Sequence, residues 1–478
     1  MTSPDSRISA RSLAGALGGW RTREPAYEAL ADGIRLLCLD NRLAPRTTLP
    51  AERELAQALS LSRTTVAAAY RSLRDTGHIE SLRGSGSVTL PLARRDPGSA
   101  VAGPDEIDLQ QASPAAWPGL AGVMSEVAQE AASLVARPGY DIVGMLGLRQ
   151  AVAQRYAERG LPTAPEEILI TTGAQSAIHL LATTLLRRGD RALMETPTYP
   201  HAAEALRSAG ARLVAVPVTV DAGWDLDRAA QAFTRAAPTV AYVMPVFQNP
   251  TGRSMSVTEA EAIASCAARS GTTLLIDETT AELALDEDLG TAGVLSGPVL
   301  PGAVRIGSLG KTVWGGLRIG WIRADAHLIR RLVAARAPRD LGTPEFEQAV
   351  AARLMARMPE ILVQRAELLR EGRDTLYEQL TAVLPEWRVP RPAGGVSLWV
   401  ELDAPLSSGL VLAARTQGLH LSAGPRFAVD GGHERHVRVP FTAPADRLRR
   451  AADVLAQVWP AVRAAVPTSV PDAFAALV

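Results

Sequence analysis

Lys311 is the only lysine in this chain of 478 residues, so all the other basic side chains among its 50 Lys and Arg residues are arginines. A guanidinium stays protonated and cannot form an imine, whereas a deprotonated ε-amine can condense with an aldehyde. The chain is rich in Ala, Arg and Pro, as GC-rich coding would produce, and one lysine could survive that bias by chance. The residues around Lys311 favour the chemical explanation.

Polar residues on both sides of Lys311 suit a phosphate monoester. Ser308 lies three residues before it and Arg318 seven residues after it, and a hydroxyl with a guanidinium is well matched to a phosphate group. The small-residue turn TGAQ at 172–175 follows an apolar run and opens a predicted helix over 176–186. Such a turn presents free backbone N–H groups to an anion. Both segments are therefore candidates for phosphate binding.

Two further polar residues follow apolar runs. Asp277 ends the run 273–276, where a buried carboxylate could keep a pyridinium nitrogen protonated, and that charge makes the ring an electron sink. Asn249 lies in the turn NPTG at 249–252, after the run 240–244. Taken singly, Asp277 could simply cap a loop and Asn249 could belong to any turn.

The elements that must position these residues show a regular pattern. Between residues 106 and 464, helical stretches alternate with short apolar runs at 167–170, 192–194, 212–216, 240–243 and 273–276. Continuous apolar strands between helices indicate a parallel sheet that is covered on both faces. The expected fold class of this region is α/β with a mostly parallel sheet.

A separate, arginine-rich unit is predicted over residues 21–90. Helical spacing of apolar residues covers 27–39, a second short helix starts in LPAERELA at 49–56, and a third helix follows Ser62, a suitable N-cap. Residues 79–90 predict a hairpin with its tip at 84–86. Short helices at a tight turn, followed by a hairpin, predict a winged helix-turn-helix whose third helix enters the major groove of DNA.

DNA contacts are expected at the start of the third helix, at nearby arginines and at the hairpin tip. The predicted DNA-binding residues are Arg53, Ser62, Arg63, Thr64, Thr65, Arg71, Arg83, Gly84 and Gly86. The competing interpretation is that an arginine-studded helix is only a solvated face. The ordered combination of helices and hairpin over about seventy residues argues against it.

Length and composition limit the classes of function. The chain is too long for one ordinary domain, its 47% hydrophobic content argues against global disorder, and its net charge of zero requires that any DNA binding come from a local basic patch. No signal peptide or membrane span is expected, and Cys38 and Cys266 show no metal-type spacing, so we expect a reduced, cytoplasmic protein without a metal site. Residues 91–105 predict a flexible linker, and the tail 465–478 carries no clear signal.

The two regions each resemble a known family. The segments LPAERELA at 49–56, LSRTTVAAAYRSL at 61–73 and RGSGS at 83–87 resemble the DNA-binding domain of the GntR family. Residues 106–464 resemble the fold-type I pyridoxal-phosphate proteins of the class I aminotransferase group. The fusion of the two resembles the MocR-type regulators, which implies that pyridoxal phosphate is the cofactor and that Lys311 forms a Schiff base with it.

The resemblance also implies the roles of the other site residues. Asp277 would pair with the ring nitrogen, Asn249 would bond the ring hydroxyl, and Tyr199, in ETPTYP at 195–200, would stack on the ring rather than only pack in the core. The residues that would bind the phosphate are Ala174, Gln175, Ser308 and Arg318, with Tyr140 reaching the site of the partner subunit in a head-to-tail homodimer. Arg438, in VRVPF at 437–441, would clamp an α-carboxylate.

Thr279 departs from the family pattern, because it stands where a tyrosine usually shares the ring hydroxyl with the asparagine. Threonine is too short for that contact, which puts efficient transamination in doubt but not cofactor binding. We therefore favour a regulator that binds promoter DNA and senses pyridoxal phosphate, or an amine or amino-acid effector. The alternatives are an active aminotransferase with an accessory DNA-binding domain, and a DNA-binding regulator whose large domain is only a dimerisation scaffold.

Overall fold

The structure is a computed structural model that describes residues 6–17, 20, 25–40, 42–82, 86–90, 106–286, 294, 299–300 and 302–464. Two predicted DNA-binding residues, Arg83 and Gly84, lie outside the described residues, as do the predicted linker at 91–105 and the tail at 465–478. Within the described ranges, no helix is long and apolar enough to cross a membrane. The same ranges contain no group of His, Cys, Asp and Glu side chains that could hold a metal ion.

Among the described residues, four helices and a small sheet form the N-terminal unit. The helices are α1 (Ala10–Leu17), α2 (Ala26–Leu39), α3 (Glu52–Leu59) and α4 (Arg63–Asp75), and the strands are β1 (Ser6–Arg7), β2 (Thr47–Thr48), β3 (Ile79–Leu82) and β4 (Gly86–Thr89). The strand order is β1-β2-β4-β3, and β3 and β4 form an antiparallel hairpin. The predicted winged helix-turn-helix is confirmed.

The N-terminal unit begins earlier than the predicted boundary at residue 21. Leu13 and Leu17 lie four residues apart, on one face of α1, and both are buried in the same apolar cluster as Leu30 and Leu55. An isolated helix of eight residues is marginal in water, so tertiary packing must stabilise α1. This helix was hard to recognise in the sequence, because it has only two turns and contains Arg11 and Gly15 beside its two leucines.

The large region contains thirteen strands and twelve longer helices among the residues that the structure describes. The strands are β5 (Ile107–Asp108), β6 (Ile168–Thr171), β7 (Arg191–Thr196), β8 (Arg212–Thr219), β9 (Gly223–Trp224), β10 (Val240–Val243), β11 (Thr273–Asp277), β12 (Val304–Ser308), β13 (Gly320–Arg323), β14 (Ser397–Glu401), β15 (Leu419–His420), β16 (Ser422–Ala423) and β17 (His436–Pro440). The helices are α5 (Leu120–Gln129), α6 (Ala131–Val135), α7 (Leu146–Glu158), α8 (Ala174–Leu185), α9 (Pro200–Ser208), α10 (Leu226–Ala236), α11 (Val257–Ser270), α12 (Ala326–Arg336), α13 (Glu345–Ala356), α14 (Met358–Val383), α15 (Ser407–Thr416) and α16 (Ala445–Ala464).

An eight-stranded sheet in the order β6-β13-β12-β11-β10-β7-β8-β9 forms the centre of the large region. The neighbours from β12 to β8 are parallel, whereas β13 and β9 are antiparallel to the strands beside them. Helices cover both faces, which explains why β6 and β10 are buried at every position. The predicted α/β class with a mostly parallel sheet is confirmed.

A second, smaller sheet lies in the C-terminal part of the chain. It has the order β14-β17-β16, with antiparallel pairing, and packs against α14 and α16 in one apolar cluster. The short strand β5 comes directly after the residues 91–105 and pairs in parallel with β15. The N-terminal unit also contacts this part, because Leu36 of α2 is buried in the same cluster.

The sheet topology determines where the polar residues meet. The strands β7, β10, β11 and β12 run in parallel, so their carboxyl ends lie at one edge of the sheet, and β6 ends at that edge too because it is antiparallel to β13. In open parallel sheets, ligands bind in the crevice beyond the carboxyl ends of the strands. Asp277 and Ser308 are the last residues of β11 and β12.

Candidate functional site

A cavity of about 570 Å³ lies at the carboxyl edge of the central sheet. Nine of the ten residues predicted to bind the cofactor or effector line it, namely Lys311, Asp277, Asn249, Tyr199, Ala174, Gln175, Ser308, Arg318 and Arg438. They come from segments up to 264 residues apart in sequence, from Ala174 to Arg438. The fold therefore brings them together as the sequence predicted, while the role of each remains a prediction.

Lys311 lies in a short π-helix, Gly310–Trp314, directly after β12. Its Nζ donates a hydrogen bond to the carbonyl oxygen of Ala112 at 2.5 Å. Burial lowers the pKa of Lys311 to about 8, and the nearby charge of Arg438 adds to this effect, whereas Asp277 opposes it. An amine with this pKa is partly neutral, and thus nucleophilic, near neutral pH.

The lowered pKa of Lys311 predicts how its reactivity depends on pH. Only the neutral amine attacks an aldehyde, so the initial rate of pyridoxal phosphate attachment should rise with pH, reach half of its maximum near the pKa of about 8, and level off at higher pH. Borohydride trapping at each pH, followed by mass spectrometry, would measure this rate. The ordinary pKa of lysine is 10.5, so a rate that still rises above pH 10.5 would contradict the prediction. An Arg438→Met control should move the plateau to higher pH, because Arg438 lowers the pKa.

Asp277 is buried at the end of β11 and accepts two hydrogen bonds. The phenol of Tyr242 donates to Oδ2 at 2.5 Å, and the backbone N–H of Thr279 donates to Oδ1 at 2.8 Å. Burial raises the pKa of Asp277, and these two hydrogen bonds act against the rise. A cationic ring nitrogen facing the carboxylate would favour its ionised form further.

Another part of the cavity is suited to an anion. The turn at 172–175 opens α8, and its N-cap, Gly173, adopts a φ of +85° and has no side chain, so the backbone N–H groups at the helix start have no side-chain cap. Arg318 donates from Nη2 to the carbonyl oxygen of Thr172 at 3.0 Å. The hydroxyl of Ser308 donates to the carbonyl oxygen of Ile319 at 3.1 Å and accepts from Gly310 N at 3.0 Å. Gln175 Oε1 is buried and has no hydrogen-bond partner in the described part of the chain.

Arg438 is buried on β17 and lies with its guanidinium over the ring of Phe427, 4.7 Å from the ring centroid. Its Nη2 donates to the carbonyl oxygen of Gln110 at 2.5 Å, and its Nη1 donates to Asn249 Oδ1 at 3.5 Å. Burial lowers the pKa of Arg438 to about 10. Among the described residues, both of its hydrogen-bond partners are neutral oxygens. A buried guanidinium of this kind is a strong site for a carboxylate, which it can bind through two parallel hydrogen bonds.

These groups fit pyridoxal phosphate. The cavity combines one reactive amine, one buried carboxylate, and a helix start with Ser308 and Arg318 for a phosphate. The cofactor, when bound, supplies an electrophilic aldehyde and a ring that withdraws electrons. Lys311 would hold the aldehyde carbon, Asp277 would keep the ring nitrogen protonated, and Tyr199 would cover the ring.

Tyr140 is the exception among the predicted cofactor residues. Its side chain is 75% exposed and is not among the residues that line the cavity of its own chain. The predicted role of Tyr140 in a partner subunit stays a prediction.

The sequence missed a positioning network behind Asn249. Glu195 is buried on β7 and accepts hydrogen bonds from Trp224 Nε1 at 2.9 Å and from Gln248 Nε2 at 3.2 Å. Gln248 Oε1 in turn accepts from the hydroxyl of Thr251 at 2.7 Å, so the turn on both sides of Asn249 is held in place. Burial raises the pKa of Glu195 to about 8.

The sequence also missed four consecutive residues of the cavity wall, at positions 110–113. Two of them, Gln110 and Ala112, contribute backbone carbonyl oxygens, which give no side-chain signal. The only hint was the short run QQAS, which follows the alternating residues Ile107, Asp108 and Leu109. Nothing in the sequence indicated the contact between Tyr242 and Asp277 either, because it depends on the pairing of β10 with β11.

The N-terminal unit exposes its predicted DNA-contacting end. Ser62 caps α4 by accepting from Thr65 N at 3.0 Å, and the buried Tyr70 donates to the carbonyl oxygen of Pro50 at 2.9 Å, which fixes α4 against the start of α3. Arg63 is exposed at the first position of α4, 3.6 Å from Glu52. The other described residues of the predicted set, namely Arg53, Thr64, Arg71 and Gly86, are also exposed, and Thr65 is half-buried.

A surface groove runs between α4 and the hairpin. Arg53, Arg63 and Gly86 line it, together with Arg7 and Arg74, which the sequence analysis did not select. Four arginines and one carboxylate, Glu52, line this groove, which leaves the local excess of positive charge that a chain with zero net charge needs for DNA binding. Arg7 was missed because β1, which carries it, lies before the predicted boundary.

Comparison with known proteins agrees with this geometry. Residues 123–455 match the family described as aminotransferase class I and II, and residues 26–88 match the bacterial regulatory proteins of the gntR family. The 2-aminoadipate transaminase of Thermus thermophilus is 31% identical over 328 residues, which cover 66% of this chain and 81% of that protein. The uncharacterized HTH-type transcriptional regulator YdfD of Bacillus subtilis is 26% identical over 455 residues, which cover 87% of this chain and 92% of that protein.

Solved structures show the same fold for the large region. The crystal structure of LysN, an alpha-aminoadipate aminotransferase from Thermus thermophilus complexed with N-(5'-phosphopyridoxyl)-L-leucine, has a TM-score of 0.69 and 28% identity, and the match covers 76% of this chain and 94% of that one. A second structure, of an aspartate aminotransferase from Thermus thermophilus with maleate, has a TM-score of 0.66 at 23% identity over 74% of this chain and 92% of that one. The chain thus belongs to the aminotransferase class I and II family of pyridoxal-phosphate proteins, and it carries a GntR-family DNA-binding domain in front of that region, the arrangement of MocR-type regulators.

Proposed function

We propose that this protein is a DNA-binding transcriptional regulator that depends on pyridoxal phosphate. It senses the cofactor itself, or an amine or amino-acid effector, through a covalent bond at Lys311. The observation that carries this proposal is the presence, in one chain, of an arginine-lined groove beside α4 and a cavity in which Lys311, Asp277 and Arg438 meet. The relative YdfD, which matches over both regions, is named as an HTH-type transcriptional regulator.

An active aminotransferase with an accessory DNA-binding domain is the second candidate. The similarity to a protein named 2-aminoadipate transaminase favours it. So does the presence in one cavity of an amine, a carboxylate, and a guanidinium that can bind the carboxylate of a substrate. Thr279 argues against it, because the residue lines the cavity but does not carry the phenol usual at this position. Sustained production of keto acid from common amino acids would support this second function.

A head-to-tail homodimer is the assembly that we propose for the active form. Tyr140 is exposed outside the cavity, and other large apolar side chains around the α6–α7 connection are exposed too, namely Val135 and Leu146, at 80% and 52%. Leu341, 57% exposed, is next to Gly342, which lies against the backbone of Asp141. Several large apolar side chains exposed in neighbouring segments are typical of an interaction surface. Two winged helices in one dimer would then bind paired half-sites of promoter DNA.

The proposal is tested by following colour and DNA affinity together. The purified full-length protein is titrated with pyridoxal phosphate and then with a panel of amino acids, while visible absorption and binding to a duplex selected from a random pool are recorded. We expect one cofactor per chain and a change in DNA affinity on addition of the cofactor or of one amino acid. A protein that stays colourless, or whose DNA affinity does not respond, would contradict the proposal.

Arg63→Ala should weaken DNA binding without affecting the cofactor. Arg63 is exposed at the amino-terminal end of α4, where a recognition helix contacts DNA, so its loss should cost about 1–3 kcal/mol of binding free energy and reduce the salt dependence. Fluorescence anisotropy at several salt concentrations would measure both. The matched control is Arg449→Ala, an exposed arginine on α16 of the large region, which should bind DNA normally. Equal affinity of the Arg63→Ala variant and the wild type would refute the assigned role of α4.

Arg438→Ala should abolish the response to amino acids but not the attachment of the cofactor. The guanidinium is the buried group suited to a carboxylate, and Lys311 is unchanged in this variant. Visible spectra recorded during an amino-acid titration would show the cofactor band with no perturbation. An amine without a carboxylate serves as the control, since its effect should survive. A normal amino-acid response would place the carboxylate site elsewhere.

A further inference from the structure

The connection between the two regions passes through the candidate site. The residues 91–105 join the N-terminal unit to Glu106, and the chain then forms β5 and continues along the cavity wall at 110–113. On its outer side this segment is bonded to β15, since Ile107 N donates to Gly418 O and Leu109 N donates to His420 O, both at 2.9 Å. Its inner side faces the cavity.

The two ligand-binding cations hold the inner side of this segment. Arg438 donates to the carbonyl oxygen of Gln110, and Lys311 donates to the carbonyl oxygen of Ala112, each at 2.5 Å. Hydrogen bonds from charged donors are stronger than those between neutral groups. The segment next to the linker is therefore fixed by the same two side chains that are predicted to bind the cofactor and the effector.

Ligand binding requires those side chains to change partners. Condensation of Lys311 Nζ with an aldehyde forms a C=N bond, releases the carbonyl oxygen as water, and leaves the nitrogen with at most one N–H, in the plane of the new bond. A carboxylate accepts two charge-assisted hydrogen bonds from Arg438 and so competes with the single neutral carbonyl of Gln110. Both carbonyl oxygens then lose their cationic donors.

We propose that residues 107–113 act as a latch that reports occupation of the cavity to the DNA-binding domain. Lys311 and Arg438 hold the latch through Ala112 and Gln110, and the ligands release it by taking over these two cations. The released segment moves the point at which the linker leaves the large region, and with it the range of positions open to the N-terminal unit. This inference rests on the proposed function and specifies its regulation.

Two replacements of Lys311 separate this latch from other routes. Neither Lys311→Met nor Lys311→Arg can bind an aldehyde covalently, but arginine keeps a cationic donor for Ala112 O, whereas methionine keeps none. Without any ligand, the Lys311→Met protein should show the DNA affinity of the wild type saturated with pyridoxal phosphate. The Lys311→Arg protein should stay at the ligand-free wild-type affinity and ignore the cofactor. We expect the two affinities to differ by about tenfold, a usual size for coupling between sites.

Amide hydrogen exchange gives a second readout that does not depend on DNA. The amides of Ile107 and Leu109 should exchange about tenfold faster in the Lys311→Met protein, and in the wild type with pyridoxal phosphate, than in the ligand-free wild type. The latch is refuted if the wild type responds to the cofactor while Lys311→Met keeps the ligand-free DNA affinity, or if these amides exchange equally with and without the cofactor. A wild type that binds no cofactor, or whose DNA affinity ignores it, would instead refute the proposed function itself.

Discussion

The Lys311→Ala variant will carry no covalently bound cofactor, and the visible absorption of the wild-type complex will be absent. The reason is that the chain has no other lysine, and its arginines cannot form an imine. Spectra with excess pyridoxal phosphate, and mass spectrometry after borohydride reduction, would show the adduct in the wild type and only background in the variant. Of all the single changes considered, this one has the largest expected effect on the cofactor.

A double variant tests whether a lysine at any position is enough for attachment of the cofactor. Lys311→Ala combined with Arg447→Lys restores the number of amines but places the new one on the exposed surface of α16. An exposed lysine keeps its ordinary pKa and has no phosphate-binding turn beside it, so we expect no stoichiometric attachment at low cofactor concentration. Strong visible absorption in the double variant would mean that the cavity and the lowered pKa of Lys311 are not needed for attachment.

Gly320→Ala will damage the phosphate-binding part of the cavity and destabilise the fold. A Cβ atom at position 320 would lie 2.6 Å from the carbonyl carbon of Gly173 and 2.8 Å from Ala174 N, which are backbone atoms that cannot turn away. Gly320 also pairs with Thr171 and Ser308, so both phosphate-binding segments must shift with β13. We expect a loss of about 1–3 kcal/mol in the free energy of unfolding and at least about a tenfold loss in cofactor affinity.

Gly122→Ala is the matched control for that substitution. Gly122 is exposed in α5, and a Cβ atom there would meet no other heavy atom of the described residues within 4 Å. Alanine in a helix is favoured over glycine by about 0.5–1 kcal/mol, so the variant should be slightly more stable and should bind the cofactor normally. Urea unfolding and cofactor titration would measure both variants. Normal cofactor affinity in Gly320→Ala would show that the close approach of β13 to the turn is not required.

Local features of the sequence were enough to predict the elements and the residue types of the site. The apolar runs that became β6, β10 and β11 are buried on both faces, and a strand of that kind needs no polar partner to be recognised. The start of α4 was predicted because the N-cap bond of Ser62 is made within three residues. The polar residues that follow strands also lie close together as predicted, because the carboxyl ends of parallel strands lie at one edge of the sheet.

The first helix of the N-terminal unit could not be predicted in this way. Helix α1 has only eight residues, so its stability comes from packing of Leu13 and Leu17 against α2 and α3 rather than from its own pattern. The same holds for Arg7, whose place beside the groove depends on the parallel pairing of β1 with β2.

The sequence by itself thus determined the chemistry that is available, because the reactivity of an amine, a carboxylate or a guanidinium belongs to the side chain and survives in any fold. Only the tertiary structure decided which groups those side chains contact. Tyr242 reaches Asp277 across 35 residues and Arg438 reaches Gln110 across 328. The acceptors at positions 110 and 112 are backbone carbonyl oxygens, and every residue has one. The path of the chain through the cavity, and not the type of side chain, therefore decides which carbonyl oxygens accept these hydrogen bonds.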